Sequence, residues 1–120
     1  MGLNNIDRDT LVDIYWERCK NTLSDADSAI SLRRWNMAAN RIYYSVFYAV
    51  SALFVKDGHP IKSHRGAKAV FSQHYILTGK VEREWLTYFS QLETLRDKAD
   101  YNVIFQATEE ETTANRQKLK

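Results

Sequence analysis

The chain is 120 residues long, 44% hydrophobic and 12% aromatic, with one proline, four glycines and a formal charge of +2. That is enough apolar material for one core and too little length for two domains, so a single domain is expected, with its body over about residues 10–105 and a polar tail from 108 to 120. One cysteine, Cys19, rules out an intrachain disulfide and a four-cysteine zinc site.

Charge is unevenly spread. Residues 33–83 carry nine basic and two acidic side chains, whereas the flanks on either side are net acidic. A basic middle either attracts phosphate or pairs with its own acidic flanks, and both readings stand at this point. The opening residues are polar, so no secretory signal is expected; Ile6 stands where a myristoylation motif needs Ser or Thr. No apolar run has the length of a membrane span, and the expected compartment is the cytoplasm.

Sparse turn residues favour few long helices over many short strands. Leu11, Tyr15, Cys19, Thr22, Ala26 and Ile30 recur at spacings of three and four, one face of an amphipathic first helix. Asp7 or Asp9 suits its start, where a carboxylate meets the positive end of the helix. The second helix is predicted over about Trp35 to Lys56. Its apolar residues cover nearly the whole circumference, as in a central helix or one buried on two sides. Gly58 supplies its stop, and Pro60 keeps the helix from restarting at once.

A third helix is predicted from an N-cap at Ser63, with Ala67, Val70, Phe71, His74 and Leu77 inward and Gly79 at its end. A fourth runs from about Glu82 to Tyr101, with Trp85, Phe89, Leu92, Leu95 (or Arg96) and Ala99 marking its buried face. The tail from Thr108 holds three successive glutamates and reads as a short solvated helix or a frayed end. The predicted fold is all-α, an up-and-down bundle of four main helices plus a short C-terminal helix or tail.

Three groups of residues invite chemistry. Arg41, Tyr44 and Tyr48 share one face of the most apolar helix, where a guanidinium needs a carboxylate partner or lines a polar cleft or dimer seam. Lys62, Ser63, His64 and Arg65 lie at the start of the third helix, an anion-friendly end, or form an ordinary surface turn. Arg96, Asp97, Asp100 and Tyr101 close the fourth helix, either as a phosphate-handling group or as a solvated last turn. His59 reads as a loop histidine and His74 as a satisfied core or edge residue. No residues have convincing metal-ligand spacing, and neither a cofactor motif nor a hydrolase motif is present.

Taken together, Asn40-Arg41-Ile42-Tyr43-Tyr44-Ser45-Val46-Phe47-Tyr48-Ala49, Lys62-Ser63-His64-Arg65-Gly66 followed by Phe71, and Leu95-Arg96-Asp97-Lys98-Ala99-Asp100-Tyr101 resemble the HEPN superfamily in order and spacing. The resemblance is to its small stand-alone bacterial and archaeal members and covers roughly residues 10–105. It implies a bundle of four to five helices, usually a homodimer. Many such proteins are metal-independent ribonucleases, often toxins paired with a nucleotidyltransferase (MNT) antitoxin, and others bind nucleotides or act as non-catalytic partners. The ribonuclease motif is an arginine, four to six residues, then a histidine. Here the best match starts at Arg96, and Tyr101 occupies the histidine's place. A phenol, titrating at about 10, is a poor general base at neutral pH. The resemblance therefore implies Arg96, Tyr101 and His64 as candidate catalytic residues, with Arg41, Arg65, Asp100 and Tyr44 as candidate contacts to RNA or a nucleotide.

Overall fold

The computed structural model describes residues 5–59 and 64–119. Among them are five α-helices and no strand: α1 (Asn5–Ser31), α2 (Trp35–Lys56), α3 (His64–Phe71), α4 (Arg83–Tyr101) and α5 (Glu109–Gln117). The all-α bundle expected from the sequence is the observed fold. No helix among the described residues is long and apolar enough to cross a membrane.

The α2 helix is central and touches α1, α3, α4 and α5. Its apolar circumference explains this position: Ile42, Tyr43, Phe47, Val50 and Phe54 all enter the core with Phe71, Tyr75, Phe89 and Leu92. Each such side chain removed from water contributes roughly 1.5–3 kcal/mol. The α1 helix lies along α2 on small residues, Ala26 and Ala29 against a helix that offers Ala38 and Ala39. Ser45, also buried, satisfies its hydroxyl by donating to the Ile42 carbonyl at 2.8 Å, so a polar residue is accommodated in the core.

The predicted helix ends have a definite chemistry. After α2, Gly58 takes φ = +80°, which lets the His59 N–H reach back to the Phe54 carbonyl at 2.8 Å. Between α1 and α2 the same left-handed position (φ = 57°) falls to Arg33. A side chain there costs roughly 1–2 kcal/mol. Arg33 offsets some of this by pairing with Glu109 at 3.0 Å and lying over the Trp35 ring.

Three expectations are revised. The third helix does not run regularly to Gly79. A π-helical turn, Ser72–Ile76, follows α3, closed by the Leu77 N–H on the Ser72 carbonyl. Such a turn holds one residue more than an α turn. The inner face therefore passes to Tyr75 and Ile76, and Leu77, expected inside, is 69% exposed. The tail is the short helix of the two alternatives, not a frayed end, but it is tied down rather than merely solvated. A capping box of Thr108 and Glu111 starts α5, and Thr112 is fully buried against the bundle. Tyr88 donates its hydroxyl to the Asn115 carbonyl at 2.7 Å, and Arg116 forks onto Asp27 at 2.7 and 3.0 Å. On α4, Trp85 lies nearer the surface than expected, and Tyr88 takes the inward place. The Ser63 cap and Pro60 lie outside the described residues.

Candidate functional site

The last turns of α4 pass the first half of α2, and their polar residues meet there. Arg96, one turn beyond the buried Leu92, is only 9% exposed. Of the two positions left open by spacing, Arg96 rather than Leu95 faces inward. Its guanidinium carbon lies 4.9 Å from the centre of the Tyr43 ring, 5.6 Å from that of Tyr44 and 5.9 Å from that of Tyr101. Its Nη2 pairs with Asp97 at 2.9 Å and Nη1 with Asp100 at 3.9 Å, whereas the buried Nε has no partner. Burial disfavours the charge on Arg96, but Tyr44, Asp97, Tyr43 and Asp100 outweigh it, and the pKa moves up. The side chain is thus a permanent cation in an aromatic wall, with a donor unspent.

Tyr43 forms that wall because the core holds its ring, stacked on Phe89 at 5.8 Å and on Phe47 at 6.2 Å. Burial first, then the nearby Glu93 carboxylate, pushes its phenol pKa up, with Arg96 opposing. Tyr44 meets Tyr43 edge-on at 5.0 Å. Its ring lies near two guanidiniums, since Arg41 approaches within 5.5 Å of its centre. Arg41 has no carboxylate at ion-pair distance among the described residues. Instead its Nε and Nη2 both donate to Asn40 Oδ1, at 2.9 and 2.6 Å. Asn40 in turn donates to Asp100.

Arg96, Asp100, Tyr101, Tyr44 and Arg41 are therefore neighbours in space. Tyr101, in the last turn, is 76% exposed. The side chains of His64 and Arg65 lie outside the described residues, but the backbone of α3 indicates where their turn runs. Phe71 meets Phe89 edge-on, and Lys68 pairs with Glu93 at 2.8 Å. His59 and His74, given no role, stack on each other with ring centres 4.0 Å apart beside Tyr75, remote in sequence from Arg96. Among the described residues no group of three or more His, Cys, Asp or Glu is gathered as a metal ion would need.

Sequence reasoning missed Asn40 and Tyr43 as members of the cluster. The signal for Asn40 was an amide, one of two with Asn36, in the first half of an apolar helix. Tyr43 gave none, since its ring reads as core and is core.

The all-helical bundle fits the family to which the chain belongs: the HEPN domain family model matches residues 12–116. A UPF0332 protein of Thermotoga maritima is 31% identical over 104 residues, 87% of this chain and 79% of that protein. A Methanocaldococcus jannaschii protein named "Putative toxin MJ0142" is 28% identical over 95 residues, 79% of this chain and 65% of that protein. A UPF0332 protein of Pyrococcus horikoshii is 33% identical over 51 residues, 42% of this chain and 36% of that protein.

Proposed function

We propose that this chain is a toxin-type HEPN protein that binds the phosphate of RNA, or of a nucleotide, at Arg96. One observation carries the reading: a guanidinium held among Tyr43, Tyr44 and Tyr101 keeps an unpartnered buried Nε and pairs its Nη atoms with Asp97 and, at 3.9 Å, with Asp100. A buried donor without an acceptor costs stability even where the charge itself is compensated, and such costs are retained at functional sites. A phosphate oxygen is the matching acceptor. The toxin-named relative supports the biological setting.

If RNA is cleaved, the 2′-hydroxyl oxygen bonds to the adjacent phosphorus and the 5′-oxygen leaves, giving a cyclic phosphate and a free 5′-hydroxyl. Arg96 would hold the charge that builds on the non-bridging oxygens. Tyr101 can donate a proton to the leaving oxygen. A base for the 2′-hydroxyl is lacking at Tyr101, and His64 is the candidate that the sequence offers.

The exposed apolar run beside Arg96, Tyr101 with Val103 (98% exposed) and Ile104 (90%), supports a second copy of the chain packing there, as a homodimer. The same missing histidine favours a second reading, a non-catalytic nucleotide-binding partner of an MNT-type nucleotidyltransferase.

RNA cleavage in EDTA, comparing wild type with Arg96→Ala, His64→Ala and Tyr101→Phe, tests this. Cleavage that disappears in Arg96→Ala and His64→Ala is expected for a ribonuclease. RNA bound by wild type but intact in every lane favours the binding partner. RNA neither bound nor cut by a folded protein overturns the assignment.

A further inference from the structure

The face of α2 that carries Tyr44 continues towards α1, and guanidiniums flank its rings. Arg96 and Arg41 lie 5.6 and 5.5 Å from the Tyr44 ring centre. One helical turn further, the Tyr48 ring is 6.2 Å from that of Tyr44, and Arg18 of α1 lies 5.7 Å from the Tyr48 ring centre. Guanidinium and phenol rings thus succeed one another from the end of α4 to the middle of α1. Beside Tyr48 the two helices part into a cleft of about 390 Å³, walled by Glu17, Arg18, Asn21, Asp25, Arg41 and Tyr48. That volume falls within the range of roughly 300–1,000 Å³ seen for small-ligand sites.

The charges of the cleft are not self-satisfied. Neither Arg18 nor Arg41 has a carboxylate at ion-pair distance among the described residues, although Glu17 and Asp25 line the same walls. Glu17 is engaged outside the cleft pair by Lys20, at 3.0 Å. Arg41 spends Nε and Nη2 on the Asn40 amide, which leaves Nη1 to donate. The Tyr48 ring fixes the position of Arg18, so less side-chain freedom is lost on binding.

From this arrangement we infer that the α1–α2 cleft is a second phosphate subsite, which takes a further nucleotide of the strand held at Arg96. Arg18 and Arg41 receive its phosphate, while Asn21 and Asp25 offer donors and acceptors to a base edge. Neighbouring aromatic rings flanked by cations suit single-stranded nucleic acid. The carboxylates in the wall disfavour a plain anion hole and fit a ligand with N–H groups next to its phosphate. The inference rests on the reading of Arg96 as an RNA-phosphate site.

The test is binding of a fluorescent 2′-O-methyl hexaribonucleotide, which cannot cleave itself, and of a labelled mononucleotide, over a range of salt concentrations. Arg18→Gln should weaken the hexamer and lower the slope of log affinity on log salt by about 0.7, the contribution of one phosphate contact on a single strand. Arg18→Lys should restore the slope, and mononucleotide binding should not change in either. Arg96→Met should weaken both probes. If Arg18→Gln and Arg41→Gln keep the wild-type slope while Arg96→Met loses binding, the cleft is no subsite and the Arg96 reading stands. If folded wild type binds neither probe, both fall.

Discussion

Asn40 on α2 donates its amide N–H to Oδ2 of Asp100 on α4, at 2.9 Å, joining residues 60 positions apart. The other end of the same amide accepts both donors from Arg41. One side chain therefore holds a cation and an anion that have no direct contact, and positions both beside Arg96.

Asn40→Ala should unfold at lower urea, by about 1 kcal/mol, the usual net worth of a hydrogen bond. Asn40→Asp should cost more, because its carboxylate would face that of Asp100. Equal midpoints for the two variants would mean that the amide does not couple the helices.

Arg96→Met should stay folded, with a melting temperature equal to or above that of wild type. The substitution removes the unpartnered Nε, keeps most of the volume packed on Tyr43 and leaves Asp97 and Asp100 within reach of water. A loss of about 3–5 kcal/mol would instead mark Arg96 as half of a structural ion pair.

Tyr88→Phe should loosen α5 first, since the Tyr88 hydroxyl holds the Asn115 carbonyl. Hydrogen exchange should speed up over residues 109–117 before it changes in α2, with a stability loss of about 1 kcal/mol.

Stability should fall at alkaline pH. Burial is the main cause raising the phenols of Tyr43, Tyr75 and Tyr88 above their ordinary 10.0, and for Tyr75 a hydrogen bond to Asp57 adds to it. Raised in the folded state, they release protons from the unfolded chain first. Their contribution is intact below pH about 10 and is lost as pH rises beyond it, at about 1.4 kcal/mol per pH unit for each phenol. Urea midpoints measured from pH 8 upward would check this; a flat profile through pH 11 would contradict it.

Cys19 is half-buried, and burial raises its thiol against the opposing effect of Lys20. It should react with a thiol reagent at pH 8 more slowly than free cysteine, and at the free rate once urea unfolds the chain.

Much of this molecule could be read from its residues. The all-round apolar character of α2 announced its central place, and Gly58 its end. The sharing of one helix face by Arg41, Tyr44 and Tyr48 follows from helical period alone. What escaped reading depends on contacts between distant segments. Nothing local marks Ser72–Ile76 as a π turn, so the inward face after Phe71 was misplaced by a residue or more. The tail looked soluble because its glutamates are frequent, but its attachment rests on a small buried threonine and on a tyrosine hydroxyl from another helix. Whether Arg41 meets a carboxylate or an amide is likewise set by packing, and Asn40 could not be chosen over the acids by spacing.

The long sequence separations also bear on the order in which the chain assembles. The α1 and α2 helices join through a tight turn at Arg33, so their cleft can close early, with little entropy lost in bringing its walls together. The Arg96 cluster needs α4 to return over 60 residues, and the Asp27–Arg116 clasp 89. A nascent or partly unfolded chain would then carry the Arg18–Tyr48 cleft before it carries the Arg96 cluster, so the proposed subsite and that cluster would be separable in time as well as in space.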